Sequence, residues 1–202
     1  NGIGFVGMPL VNPRGDKWIE QEGLKVPKPK REDLKENTAR YQEVDAVAGS
    51  AFLVSRKIID KIGLMEPRFF LYWEETDWNA RATAAGLKNV VLKTSRMVHK
   101  EEGGGVFNAN SSYYLMRNMV FYVRRNLQGP FFHFVWPFLG LAKFILGILT
   151  ASQKQVSGSR YTILGRALKG FWDGWSGVWS EALQSDLKEV ELFSQEDYRD
   201  VA

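Results

Sequence analysis

The stretch Ala46-Val47-Ala48-Gly49-Ser50-Ala51-Phe52-Leu53-Val54-Ser55-Arg56-Lys57-Ile58-Ile59-Asp60-Lys61-Ile62-Gly63 changes period partway along. Its first nine residues are apolar or small, the composition of a buried strand. Ser55 then offers a hydroxyl to cap a helix over Arg56 to Ile62, and Gly63 supplies the stop. The same alternation continues on both sides. Phe5–Met8 reads as a short strand, Thr76 to Ala85 as a helix stopped by Gly86, and Val90–Leu92 and Met97–Val98 as strands. Strands alternating with helices give an α/β fold with helices packed on a sheet. Between them, Asn12-Pro13-Arg14-Gly15 is a turn, and the Pro- and Lys-rich run Lys25–Arg40 is expected to be exposed or mobile.

Composition narrows the setting. The chain has 202 residues, 45% of them hydrophobic, enough for one substantial core. It contains no cysteine, which removes disulfides, thiolate metal sites and cysteine nucleophiles and fits a reducing compartment. It begins at Asn1, directly on a strand-like run, which is expected of a fragment of a longer protein. The formal net charge of +4 is unevenly spread. Residues 181–202 hold seven acids against two basic residues, net −5, leaving +9 on residues 1–180. From Gly103 to Trp172 there is no Asp or Glu but there are eight Lys or Arg. Such a stretch calls for an anionic partner: phospholipid head groups, a diphosphate or nucleic acid.

Three apolar segments lie in this basic region. Asn110–Asn126 suits an amphipathic helix ending in Arg124-Arg125. Phe131–Ala151 is about the length of a bilayer-spanning helix, interrupted by His133, Pro137 and Lys143. Arg124 and Arg125 precede it, and Lys154, Arg160, Arg166 and Lys169 follow it. Positive flanks on both sides favour an in-plane or re-entrant segment over a single crossing. Ile163–Trp179, with its tryptophans at helical spacing, reads as an interfacial helix. The competing account is that these are core helices of a helical subdomain.

Chemistry concentrates at Phe69-Phe70-Leu71-Tyr72-Trp73-Glu74-Glu75-Thr76-Asp77-Trp78-Asn79-Ala80-Arg81. Three carboxylates follow an apolar wall, a setting that raises a carboxylate pKa towards general-base work. With the helix starting at Thr76, Glu74 and Glu75 face its positive end, while Asp77 and Arg81 pair four residues apart. Acids that merely decorate a helix N-terminus give the same pattern. His99 ends a strand-like run before the triple glycine Gly103–Gly105, a position for a metal ligand beside a mobile loop or for an ordinary surface histidine.

Taken in order, Val47–Arg56, Ile62-Gly63-Leu64-Met65-Glu66-Pro67-Arg68-Phe69-Phe70, the acidic cluster through Arg81, Ala85-Gly86, Val98-His99 and Tyr113-Tyr114-Leu115-Met116-Arg117-Asn118 resemble the second half of family 2 glycosyltransferases, closest to the rhamnosyltransferase-like branch. The resemblance covers roughly Gly2 to Asn126, and Arg166–Gly174 resembles the ending of such enzymes. It implies a partial GT-A domain over residues 1–126, the acceptor side of a Rossmann-like nucleotide-sugar transferase. Membrane-associated amphipathic helices over 127–180 and an acidic tail over 181–202 follow. It implies inverting transfer of a sugar, rhamnose by the branch resembled, from a nucleoside diphosphate sugar to a glycan or lipid-linked acceptor, in surface polysaccharide or cell-wall synthesis. The expected place is the cytoplasmic face of the cell membrane, peripheral or re-entrant.

By this resemblance Glu75 takes the catalytic-base position, with Asp77 in reserve. Gly49, Ser50, Trp73 and Glu74 line the acceptor site, Arg117 meets the leaving diphosphate, and His99 helps hold a divalent metal, Mg or Mn. The family's usual Asp is replaced by Glu75, which changes the reach by one methylene. No Asp-x-Asp occurs in the chain, so the donor-binding half is expected to be missing and the chain alone inactive. The alternatives are a non-catalytic membrane-surface module and a metal-dependent hydrolase. For the latter, the adjacent Glu74 and Glu75 are poorly placed to share one ion. No nucleic acid is expected, because the basic residues are interleaved with a long apolar segment.

Overall fold

Strand β1, Ile3–Gly7, runs through the centre of a mixed sheet, and Phe5 is wholly buried beneath it. The computed structural model describes residues 2–11, 18–20, 40–99 and 107–177. Strands β2 (Leu10–Val11), β3 (Trp18–Glu20), β4 (Tyr41–Val44), β5 (Phe52–Val54), β6 (Lys88–Leu92) and β7 (Met97–Val98) complete two sheets. The larger has the order β4-β6-β1-β5, with β1 and β6 parallel and the outer pairs antiparallel. The smaller has the order β3-β2-β7, with β2 and β7 parallel. The fold is therefore mixed α/β, with a small mixed sheet and helices.

Helix α1, Arg56–Ile62, begins and ends where Ser55 and Gly63 predict. The Ser55 hydroxyl accepts from the Ile58 N–H, and Gly63 adopts a positive φ of 78°. Helix α2 spans Glu74–Ala84 and packs on β1 and β6. Phe5, Val47, Ile58, Trp78, Ala82 and Val91 form the core between helices and sheet. Trp78 meets Phe5 edge-on at 5.0 Å and donates its indole N–H to the Gly63 carbonyl. Burying a side chain of this size contributes roughly 2–3 kcal/mol.

Two expectations change here. Only Phe52–Val54 of the expected strand Ala46–Val54 is a strand, because residues 48–51 turn and the Val47 N–H is taken by the Asn79 side chain at 3.2 Å. Helix α2 starts at Glu74 rather than Thr76, so both glutamates lie inside its first turn. The turn at 12–15 and most of the run 25–40 lie outside the described residues.

The remaining helices stack on one another. Helix α3 is Ala109–Asn126, capped by the Asn108 side chain. A π-helical turn, Phe131–Val135, leads into α4, Trp136–Thr150, and α5 spans Arg160–Ser176. Gly170 and Gly174 let α5 approach α3 closely. A Cβ on Gly170 would lie 2.2 Å from the Tyr113 carbonyl oxygen, and one on Gly174 would lie 2.6 Å from that of Arg117. These pairs advance together, so α5 runs parallel to α3. Gly140 meets Met119 and Gly147 meets Phe107, so α4 runs back alongside this pair, antiparallel to α3. Met116, Met119, Val120, Ala167 and Phe171 fill the space between the helices.

Candidate active site

The backbone entering α2 is strained. Phe70, Tyr72 and Trp73 have φ values of 59°, 66° and 73°, and none is glycine. Each such residue costs on the order of 1 kcal/mol or more, and persists only where its surroundings overdetermine it.

Helix α3 supplies that determination. The Asn118 Nδ2 faces the carbonyls of Phe69, Leu71 and Tyr72 at 2.6, 2.7 and 2.9 Å. The Arg117 Nη2 donates to the carbonyls of Arg68 and Phe69, and its Nε donates to the Asn118 side-chain oxygen. Trp73 anchors the end of the loop, its Nε1 donating to the Leu115 carbonyl at 3.1 Å and its ring tilted against Tyr122. The loop therefore presents Glu74 and Glu75 in one fixed geometry.

Glu75 is the most desolvated of the acids whose protonation the fold shifts. Burial raises its pKa, while the backbone N–H groups of Glu75, Thr76 and Gly49 partly offset the rise. Its Oε2 is buried with no hydrogen-bond partner. The Gly49-Ser50 turn lies against it, since a Cβ on Gly49 would sit 3.4 Å from the Glu75 Cδ. Gly49 and Ser50 are themselves exposed. Asn79 binds both sides of this corner, accepting from the Val47 N–H and donating to the Glu75 carbonyl at 2.7 Å.

Glu74 is pushed up to about 7, first by burial and then by the neighbouring Glu75 charge. Its Oε2 is also buried and unpartnered. Two neighbouring carboxyls with little solvation resist ionising together. Near neutral pH Glu74 is therefore poised between its neutral and charged forms.

Asp77 behaves differently. It is wholly buried, with Arg81 Nε 3.0 Å from Oδ2, Arg125 Nε 3.0 Å from Oδ1, and Asn126 Nδ2 donating to Oδ1 at 2.9 Å. Both oxygens are occupied, so Asp77 ties α2 to the end of α3. Arg81 goes on to donate to the carbonyls of Ile62 and Leu64.

Arg117, expected to meet a diphosphate, has no exposed surface. Its guanidinium lies 4.8 Å from the centre of the Tyr114 ring, and burial lowers its pKa. Its placement makes it a holder of the strained loop, a role absent from the sequence reading. His99 follows β7 in the smaller sheet, its N–H donating to the Val11 carbonyl at 2.8 Å. Among the described residues, no three His, Cys, Asp or Glu side chains gather into a metal-binding group. His99 and the two glutamates therefore do not form such a group together.

Sequence reasoning missed Asn79, Asn118 and Asn126. Each is a polar residue inside a helix on its buried or half-buried side, and that placement is the signal that marks them. No protein-family model matches the chain, and no curated protein matches it.

Proposed function

We propose that the chain is the acceptor-side part of an inverting glycosyltransferase of the GT-A, family 2 kind, rhamnosyltransferase-like, with Glu75 as the base. The observation that carries this reading is the desolvated Glu74–Glu75 pair. It is held at the start of α2 by a strained loop and set against the small Gly49-Ser50 turn. A helix N-terminus that uses acids only to complement its dipole leaves them solvated, and has no use for three left-handed residues before them.

The reaction is a single displacement. Glu75 removes the proton of an acceptor hydroxyl, and that oxygen attacks the anomeric carbon of a nucleoside diphosphate sugar. The bond from that carbon to the diphosphate oxygen breaks from the opposite face, and the nucleoside diphosphate leaves with the electron pair. In its neutral form, favoured below about pH 7, Glu74 places no second negative charge beside Glu75 and lets Glu75 stay ionised until it takes the proton. Gly49, Ser50 and Trp73 border the place where the acceptor hydroxyl sits. By the resemblance, His99 would be among the residues that hold a divalent ion, Mg or Mn, which would supply positive charge for the leaving diphosphate. The acceptor is a glycan or a lipid-linked glycan at the cytoplasmic face of the membrane.

A second reading, a non-catalytic membrane-surface module, is favoured by the apolar face of α4. It gives no account of the two buried glutamate oxygens, Oε2 of Glu74 and of Glu75, that lack partners. The test is acceptor-dependent release of nucleoside diphosphate by the intact protein across a panel of nucleoside diphosphate sugars, dTDP-rhamnose among them. Release with one donor supports the transferase. No release with any donor, alongside retained vesicle binding, supports the module.

A further inference from the structure

Residues Phe131–Thr150 form 20 residues of continuous helix with a mean hydropathy of 1.7, of which only 11% is buried in the fold. The buried side, including Pro137 and Ile148, packs on the rest of the helical layer. At 100° per residue, Phe138, Leu139, Ala142, Leu146 and Leu149 of α4 fall on another side of the cylinder and are exposed, as are Phe131, Phe134 and Val135 of the π-helical turn before it. Leu139, Leu146 and Leu149 are each more than half exposed. Phe138 contacts Phe171, which contacts Trp172 of α5, itself 56% exposed. The apolar face thus continues across two helices, well beyond what a soluble surface leaves uncovered.

Charge identifies the occupant. Residues 107–177 contain eight Lys or Arg against the single acid Asp173, which is paired with Lys169 at 2.7 Å. Arg117 is buried, Arg125 is paired with Glu66 and Asp77, and Arg160 closes helix carbonyls, while Arg124, Lys143 and Lys169 are exposed. The Lys143 ammonium is exposed at the margin of the apolar half-cylinder, where it can reach past apolar surface to a head group.

Topology sets the orientation. The helix is fastened to α3 at both ends. At its start, a short connection, residues 127–130, joins it to the end of α3. Past its end, Gln155 and Ser157 pair with the backbone of Phe107, just before α3 begins. The Arg160 guanidinium closes the C-terminal carbonyls of Ile148, Leu149 and Ala151. Helix α3 in turn buries Arg117 and Asn118 against the strained loop. If α4 crossed a bilayer, α3 and the polar core it holds would be carried to hydrocarbon depth, where each charge is costly and irregular backbone is left without partners.

We infer that α4 and the exposed edge of α5 lie flat in the head-group region of an anionic bilayer, docking this protein side-on without crossing. The inference rests on the apolar and basic faces alone, so it stands or falls independently of the transfer chemistry proposed above.

The test uses the intact protein with sealed vesicles of phosphatidylcholine, with or without an equal part of phosphatidylglycerol. Co-sedimentation with the anionic vesicles, weakened by salt and by omission of phosphatidylglycerol, is expected. Leu139→Glu and Leu146→Glu together should weaken it by roughly tenfold per residue, with the far-ultraviolet dichroism unchanged because both side chains are exposed. Orientation is read with Gln128→Cys and Ser157→Cys, one beyond each end of the helix, in a chain that has no other cysteine. Using sealed inside-out vesicles from cells making each variant, an impermeant maleimide should label both positions. Labelling of only one end would show a crossing and overturn the in-plane orientation. Failure to bind anionic vesicles would overturn the membrane docking. So would self-association abolished by the same two glutamates in place of lipid binding, because that would make the face an interface between copies.

Discussion

The Asn118 side-chain nitrogen on α3 lies 2.6 Å from the Phe69 carbonyl oxygen, 49 residues earlier in the chain. That contact joins the helical layer to the turn that delivers Glu74 and Glu75. Replacing the amide with a carboxylate turns a donor into an acceptor facing three carbonyls. Asn118→Asp should therefore cost about 2 kcal/mol or more, lowering Tm by about 5 °C. Asn118→Asp should also reduce kcat in the folded protein, measured well below its Tm. Unchanged stability would mean that the loop holds its shape without α3.

Asp77 and Glu75 are two residues apart but have opposite surroundings. Asp77→Asn keeps the shape and removes the charge that Arg81 and Arg125 share, so it should destabilise by about 3 kcal/mol. Transfer activity, measured where the variant is fully folded, should persist. A loss of activity without a loss of stability would make Asp77 the base.

The shifted acids give the stability a definite pH dependence. Glu74 is raised from its usual 4.5 to about 7, and Glu75 is raised in the same direction. Their folded forms hold protons more tightly than the unfolded chain does, so their contribution is present below pH 4.5 and is lost as pH rises towards 7. Glu66 is lowered to about 2, chiefly by its hydrogen bonds from the Arg68 side chain, and its contribution is lost as pH falls from 4.5 towards 2. Glu74→Gln should flatten the decline of Tm between pH 4.5 and 7 without changing the acid limb below it. A profile identical to that of the original protein would show that Glu74 is solvated.

Gly170 permits the closest approach of α5 to the α3 backbone. Gly170→Ala would place a methyl group 2.2 Å from the Tyr113 carbonyl oxygen, so α5 must shift. The expected cost is about 2 kcal/mol, within the range for overpacked cores, read as a lower Tm in thermal unfolding. A Tm equal to that of the original protein would mean that the helices are not in register here.

How much of this was legible depended on whether the deciding partner was near in sequence. Helix α1 is readable because Ser55 and Gly63 are its own punctuation. Residues 46–51 look like a strand and are partly a turn, because Asn79, 32 residues on, takes the Val47 N–H. Strands β2 and β3, of two and three residues, are too short to show a period. The acidic cluster itself stands out in the sequence. The left-handed path through Phe70, Tyr72 and Trp73 does not, since such bulky residues are ordinarily disfavoured there and only the side chains of α3 hold them. For the same reason Asp77 and Glu75 look alike in sequence. Their separation depends on Arg125 and Asn126, about 50 residues away.

The role of Glu75 as the base is tested by Glu75→Gln in the intact protein, with transfer rate and Tm read on the same preparation. The amide keeps an oxygen to accept from the backbone N–H groups and removes a buried charge whose Oε2 has no partner, so Tm should be unchanged or rise by about 2–4 °C, while the transfer rate falls by roughly a hundredfold to ten-thousandfold. A variant that transfers sugar at the original rate, or one that loses activity only because it unfolds, would contradict the account.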